Sequence, residues 1–467
     1  MKIMKTSFVF YIIFNIMASI YGGDDVSALI FDPGEHSFRI GNGGDGIPKL
    51  NLAQVYGYLP KEVANDVTIL ADEMELELHT SCMNGNTMQS CFLPFEDDYR
   101  IGWNFVNPVL NDVEYVSLMK YGLIDNFDLL ENIIQYASRR LLPSACDDDY
   151  PILFTEPPWN TRHHREELIE RLFERFNVPA AYLAKTPALS TSVAGKGSAV
   201  VVDSGAYSTT ATAVYETFCI SKTCTMSSLA GNCVSVQCGN LLEKREIDVM
   251  SSLIASQTSH WSDSENLEDI TWSPRAEFSR VTDSFLGYTY KNILDDMKMS
   301  LIRVPEKPFN PNSKKICPVE EYEFPNKAKH MFGRERFEIG ESLFDVNYLK
   351  GDNLADQADR SMQIGNIIND CIQKIDIDVR SEICKAIVIT GGNSLIPGFT
   401  SRVGYEVSKL IWPGRLPKIH VIPGSCQRVS SSWIGGSMLT SLGTFQQLWI
   451  SKEQYLENGA SVVQYIP

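Results

Sequence analysis

The chain reads as an α/β protein of two lobes with a ligand cleft between them, on three observations. Its 467 residues exceed what a single hydrophobic core usually serves. Two apolar, β-rich runs, residues 28–31 and 199–202, each end in Asp-x-Gly: Asp32-Pro33-Gly34 and Asp203-Ser204-Gly205. Each is followed by a second strand-like run, so each reads as a β-hairpin with Asp-x-Gly at its tip. A third apolar run, residues 386–390, ends in Gly391-Gly392 before a helical stretch, where an open α/β sheet takes its ligands.

Glycine at a hairpin tip opens backbone conformations that other residues resist and lets a phosphate reach main-chain N–H groups. An aspartate beside it can face those phosphates only through a cation or a water. The plainer alternative is an ordinary turn at each tip, and a close-packed turn at Gly391-Gly392. Recurrence of the hairpin in both halves of the chain favours the ligand.

A net charge of −17 and a pI near 4.9 argue against direct binding to a nucleic-acid backbone, which needs a basic face. Any connection to DNA would run through partners. Residues 1–20 form an apolar N-terminal extension: Lys2 and Lys5 precede a run at residues 8–14, with Ala18 and Ser19 beyond, the outline of a secretory signal peptide. Against secretion stand eleven cysteines, an odd number without framework spacing, and the lack of any Asn-x-Ser/Thr acceptor. A start at Met17, with the prefix a gene-model artefact, is the expectation. No later apolar run is long enough for a membrane helix. Cys219/Cys224 and Cys233/Cys238 fall within loose zinc spacing, but no histidine lies near them, and they read as buried thiols on strands.

The first hairpin occupies residues 24–44, and residues 50–115 read as irregular, with one helix at 70–78. Asn126 caps a helix to about Arg140, with Leu129, Leu130, Ile133 and Ile134 at helical spacing. A buried strand at 151–155, an amphipathic helix at 161–176 and a short strand at 179–183 lead to the second hairpin. Helices are expected at 241–256, 288–302, 362–374 and 398–410.

Residues 153–160 with Arg165-Glu166, then 176–180, 203–205, 322–326, 333–337, 391–398, 432–439 and 447–452, resemble the actin superfamily, in order, from about Tyr21 to the C-terminus. The opening 21–26 and residues 375–380 are similar to its actin-related protein 4 branch, also called actin-like protein 6, whose mature N-terminus lies close to Met17. The resemblance implies a duplicated, ribonuclease H-like fold: residues 21–186 and 431–467 in one lobe, 187–430 in the other, with crossings near Thr186 and Ser431. It implies a nucleotide-binding set of Asp32, Gly34, Asp203, Ser204, Gly205, Gly231, Gly391 and Gly392, with Asp32 and Asp203 holding hydrated Mg²⁺.

Departures from that pattern bear on chemistry. Glu35 and His36 stand where actin's first phosphate loop has serine and glycine, and Ala206 where it has a second aspartate. Thr186 aligns with the glutamine that positions the hydrolytic water. Binding of ATP with Mg²⁺ is therefore expected to be weak or absent because of Glu35, and hydrolysis slow or absent, because positioning is most of what phosphoryl transfer requires. Glu35 pointing outward as a solvated turn residue is the alternative. The resemblance then implies a non-catalytic nuclear subunit, a pseudo-ATPase, of SWI/SNF-type chromatin-remodelling and histone acetyltransferase complexes. Its partners would be actin and a helicase-SANT-associated helix. Trp433, Ile434, Met438, Leu439 and Leu442 are the candidate groove for that helix, or alternatively plain core. Segment 76–113 does not resemble actin's filament-contact loop, so self-polymerisation is not expected. A weak ATPase or kinase of the same fold, and a secreted protein, are the competing readings.

Overall fold

The computed structural model describes residues 28–58, 99–101, 109, 111–142, 150–247, 249, 251, 255–258, 271–274, 280–310, 317–350, 362–410 and 416–465. The apolar prefix and the helix expected at 70–78 lie outside them. No helix among the described residues is long and apolar enough to cross a membrane.

The first lobe opens with β1 (Leu29–Pro33), β2 (Ser37–Asn42) and β3 (Leu50–Ala53). A small rim sheet follows, of β4 (Val55–Tyr58), β5 (Tyr99–Arg100) and β6 (Glu114–Ser117), in a region the sequence left irregular. Helix α1 (Phe127–Leu141) starts where the Asn126 side chain accepts the Leu129 N–H and buries Leu129, Leu130, Ile133 and Ile134 on one face. Then come β7 (Ile152–Glu156), α2 (Arg162–Glu174, capped by Thr161) and β8 (Ala180–Lys185).

Helix α3 (Thr186–Val193) leads into the second lobe, with β9 (Ala199–Ser204), β10 (Thr209–Tyr215), β11 (Phe218–Ser227), α4 (Gly231–Lys244) and α5 (Asp283–Leu301). Next are α6 (Ile364–Lys374), β12 (Ala386–Thr390), α7 (Phe399–Ser408) and β13 (Lys418–Val421). Helix α8 (Ser431–Thr440) and β14 (Ile450–Ser451) return the chain to the first lobe, where β14 pairs antiparallel with β8.

The two central sheets share one plan. In the first, β3-β2-β1 form an antiparallel meander and β7 and β8 continue it in parallel with β1. In the second, β11-β10-β9 form the meander and β12 and β13 continue it in parallel with β9. This is the duplicated, ribonuclease H-like arrangement. One apolar core draws on residues 28–189 and 433–463, the other on residues 200–407. The stacked rings of Phe31 and Phe154, 4.8 Å apart, pin β1 to β7 at the centre of the first.

Several expectations need correction. The helix placed at 241–256 instead runs from Gly231 to Lys244, and Ala255–Thr258 is a strand paired with Thr271–Pro274. Its start is fixed by tertiary contacts rather than by a capping side chain: Gly231 N donates to Gly205 O at 3.0 Å and Asn232 N to Ala206 O at 2.8 Å. Cys233 and Cys238 consequently sit on a helix, not on strands. Helix α5 begins at Asp283, earlier than the apolar spacing suggested.

Candidate functional site

The two hairpin tips face each other across a cavity of about 400 Å³ between the lobes, within the ~300–1,000 Å³ range of small-molecule sites. The tips close alike: Gly34 N donates to Ser37 O at 3.2 Å, and Gly205 N to Ser208 O at 3.0 Å. Asp32, Gly34, Asp203, Gly205, Gly231, Gly391 and Gly392 all line this cavity. Ser204 does not. It is fully buried, and its hydroxyl is engaged by Thr209 at 2.8 Å and by the Asn393 amide at 3.0 Å.

Gly391 is required by backbone and packing at once. Its φ is +89°, and a Cβ there would lie 2.3 Å from Ser204 O and 2.5 Å from the Asp203 carboxylate. The close-packed turn and the cavity floor are therefore the same feature. Asn393, not singled out from sequence, ties this turn to the second tip by donating also to Gly205 O at 2.7 Å.

The Asp32 carboxylate is held from three sides. Arg39 Nη1 lies 3.0 Å from Oδ2, Ser432 Oγ donates to Oδ2 at 2.8 Å, and Thr155 Oγ1 donates to Oδ1. Asp203 is pushed up to about 6, chiefly by burial and next by the Asp32 charge, with Arg39 opposing. Arg39 escaped the sequence reading, although the signal was present. In an antiparallel hairpin with this tip, Asp32 and Arg39 are directly opposed cross-strand partners.

Lys298 is a second cation missed from sequence. Its Nζ donates to Asp295 Oδ1 at 2.6 Å, Ser235 Oγ at 2.9 Å and Gly231 O at 3.4 Å beside the cavity. Burial works against ionised Asp295, but Lys298 and Ser235 hold its carboxyl below the usual range. The tip residue His36, itself exposed, reaches this cluster, Nδ1 to Asp295 Oδ2 being 3.6 Å.

Glu35 is half-buried and is among the residues that line the cavity. Burial raises its pKa against the pull of Lys291 and of a hydrogen bond from the Gly122 backbone, and its Oε2 is buried with no hydrogen-bond partner. Thr186 lines the same cavity at the start of α3. The preceding Lys185 is committed to Glu156 at 2.7 Å.

Two facing carboxylates, one held above its ordinary range, fit a hydrated divalent cation that would supply the missing positive charge. Among the described residues no three ligating side chains converge, so such an ion would be held by Asp32 and Asp203 through water. The glycine floor fits a nucleoside. The tip at Glu35 does not fit a terminal phosphate, because it offers a carboxylate where a donor is needed.

Of the groove candidates, Trp433 is fully buried, its Nε1 donating to Ile30 O at 3.3 Å, and so belongs to the core. Ile434, Met438, Leu439 and Leu442 are half-buried. At the cavity wall, hydroxyls of Ser190, Ser431 and Thr390 form a chain of 3.0 and 2.7 Å contacts where α3, α8 and β12 meet.

Comparison with known proteins agrees with this geometry. The actin family model matches residues 23–465. The chain is 31% identical over 463 residues to actin-related protein 4 of Gibberella zeae, covering 95% of this chain and 96% of that relative. It is 28% identical over 467 residues to actin-related protein 4 of Schizosaccharomyces pombe, covering 95% and 97%. Against actin-related protein 4 of Arabidopsis thaliana it is 28% identical over 449 residues, covering 95% and 99%. With a duplicated fold, paired Asp-x-Gly tips and matches of this extent, the chain belongs to the actin family.

Proposed function

We propose that the chain is a non-catalytic, actin-related subunit of nuclear chromatin-remodelling and histone acetyltransferase complexes, a pseudo-ATPase that binds a helicase-SANT-associated helix and actin. The carrying observation is Glu35. The residue stands at the first tip, among those that line the cleft, with one carboxylate oxygen buried and unpartnered. A like charge ~4 Å from a polyphosphate is repelled by about 1 to 4 kcal/mol, depending on local dielectric. Thr186 adds to this: a short hydroxyl lines the cavity where a long amide would be needed to orient water. Nucleotide and Mg²⁺, where they bind, are held weakly and serve structure rather than turnover.

Loss of catalysis leaves surface as the function. Ile434, Met438, Leu439 and Leu442 form a half-buried apolar set among Gly and Ser on and beyond α8, suited to the apolar face of an amphipathic helix. Titration of the full chain with a helicase-SANT-associated helix peptide tests this. Saturable binding, weakened at least about tenfold by Met438→Glu, is expected, tenfold being about 1.4 kcal/mol. Absence of binding, or binding indifferent to Met438→Glu and Leu442→Arg alike, would overturn the assignment.

A further inference from the structure

The first hairpin tip carries a charge that the cleft leaves unanswered. Among the carboxylates lining the cavity, Asp32 pairs with Arg39, whose charge Asp203 also feels, and Asp295 pairs with Lys298. Glu35 is joined to no cation in an ion pair among the described residues, and the Lys291 charge bears on it only at longer range.

The surroundings of Glu35 are aromatic. Its carboxylate accepts a hydrogen bond from the Gly122 backbone, and two rings press on that same glycine. A Cβ at Gly122 would lie 2.9 Å from Tyr207 Cδ1 and 3.3 Å from Trp159 Cζ2. Tyr207, Trp159 and Met119 line the cavity together with Glu35. Outside them the exposed Tyr121 ring meets Tyr207 edge-on at 6.4 Å and already carries the Lys120 ammonium, 5.6 Å from its centre. Trp159 Nε1 and Glu35 Oε2 are both buried without a hydrogen-bond partner among the described residues. Buried polar atoms are normally satisfied, so an orphaned donor and an orphaned acceptor on residues that share Gly122 mark where a bound molecule can complete them.

We propose that Glu35, Trp159 and Tyr207 form a cage for a methylated ammonium group, carried either on a trimethyllysine side chain of a peptide or on a free choline-type amine. The carboxylate supplies the opposite charge, and the ring faces attract a cation. Methylation is what suits such walls. A bare ammonium brings three N–H donors and a tight hydration shell, for which aromatic carbon offers no acceptors, whereas methyl groups remove those donors and pack against the rings. The Trp159 N–H is then left for an acceptor on the same molecule, a hydroxyl or a peptide carbonyl. The cage needs neither a nucleotide in the cleft nor a helix on the surface.

Calorimetric titration of the full chain compares choline with its neutral isostere 3,3-dimethylbutan-1-ol, and a short uncharged peptide bearing one trimethyllysine with the same peptide bearing lysine. At least one methylated cation is expected to bind at least about tenfold more tightly than its partner compound, and the tighter of the two names the source. Glu35→Gln, which keeps the shape and removes the charge, should weaken that cation at least about tenfold and leave the neutral isostere within about twofold. Tyr207→Leu, which removes a ring and keeps an apolar side chain, should weaken it similarly. If neither methylated cation outbinds its partner compound in the wild type, the cage is overturned, whatever the variants do. Affinity for the cation unchanged in Glu35→Gln and Tyr207→Leu alike would also overturn it.

Discussion

Arg39 and Asp32 stand opposite each other on adjacent strands of the first hairpin, guanidinium to carboxylate at 3.0 Å, at the centre of the cleft. Arg39 pairs with Asp32 and its charge also opposes the raised pKa of Asp203. Arg39→Ala should therefore destabilise the chain by about 3 kcal/mol, the scale of breaking one side of a buried pair. Arg39→Lys should recover part of that. Urea denaturation of the three proteins checks the order.

Asp203 makes a pH prediction. Its folded value, about 6, lies above its ordinary 3.8, so the folded state holds the proton more tightly than the unfolded chain. Its contribution is most favourable below pH 4 and is lost as pH rises to 6, by up to about 3 kcal/mol for a shift near two units. Asp203→Asn should flatten that segment of the stability curve and raise stability above pH 6. Added Mg²⁺ should stabilise the wild type above pH 6 more than it stabilises the variant. Thermal melts from pH 4 to 7 provide the comparison.

Gly391 tolerates no side chain. Gly391→Ala would drive a methyl against Ser204 O and the Asp203 carboxylate from a backbone at φ +89°. A loss of about 2 kcal/mol or more is expected, combining conformational strain with overpacking. Gly392→Ala, with nothing within 4 Å of its added carbon, should cost little by comparison. Melting temperatures of the pair separate a packing requirement from a general dislike of substitution in the turn.

Much of this site was legible from residues alone, and the failures have physical causes. Both Asp-x-Gly tips and the strand before Gly391 declare themselves through local chemistry: apolar runs, turn residues and a buried strand. Helix α1 did the same, since Asn126 and the Leu/Ile spacing are local signals. Helix α4 did not, because its start is set by hydrogen bonds to the second tip rather than by a capping side chain. Trp433 looked like a groove residue because a helix rich in Gly and Ser gives no amphipathic contrast. Only the packed structure shows its ring filling the space above Gly41. The cluster of Val113, Tyr115, Phe285 and Tyr288 joins segments some 170 residues apart, in a stretch whose strands are short and weakly patterned.

Glu35 carries a specific expectation about affinity. Glu35→Ser removes a buried, unpartnered carboxylate oxygen from the cleft. ATP affinity should rise about tenfold or more, in keeping with relief of at least ~1.4 kcal/mol of repulsion, and adenosine affinity should stay within about twofold. Calorimetric titration of both ligands into both proteins checks it. Equal gains for adenosine would mean that Glu35 acts by shape rather than by charge.

Under the proposed function, the cleft keeps the shape of a nucleotide clamp without the groups that turn nucleotide over. Single-turnover release of phosphate from γ-labelled ATP, with the protein in excess and Mg²⁺ present, tests it most directly. Release indistinguishable from buffer over hours is the predicted result, and a burst of phosphate at about 1 s⁻¹ or faster, an ordinary enzymatic rate, would contradict it.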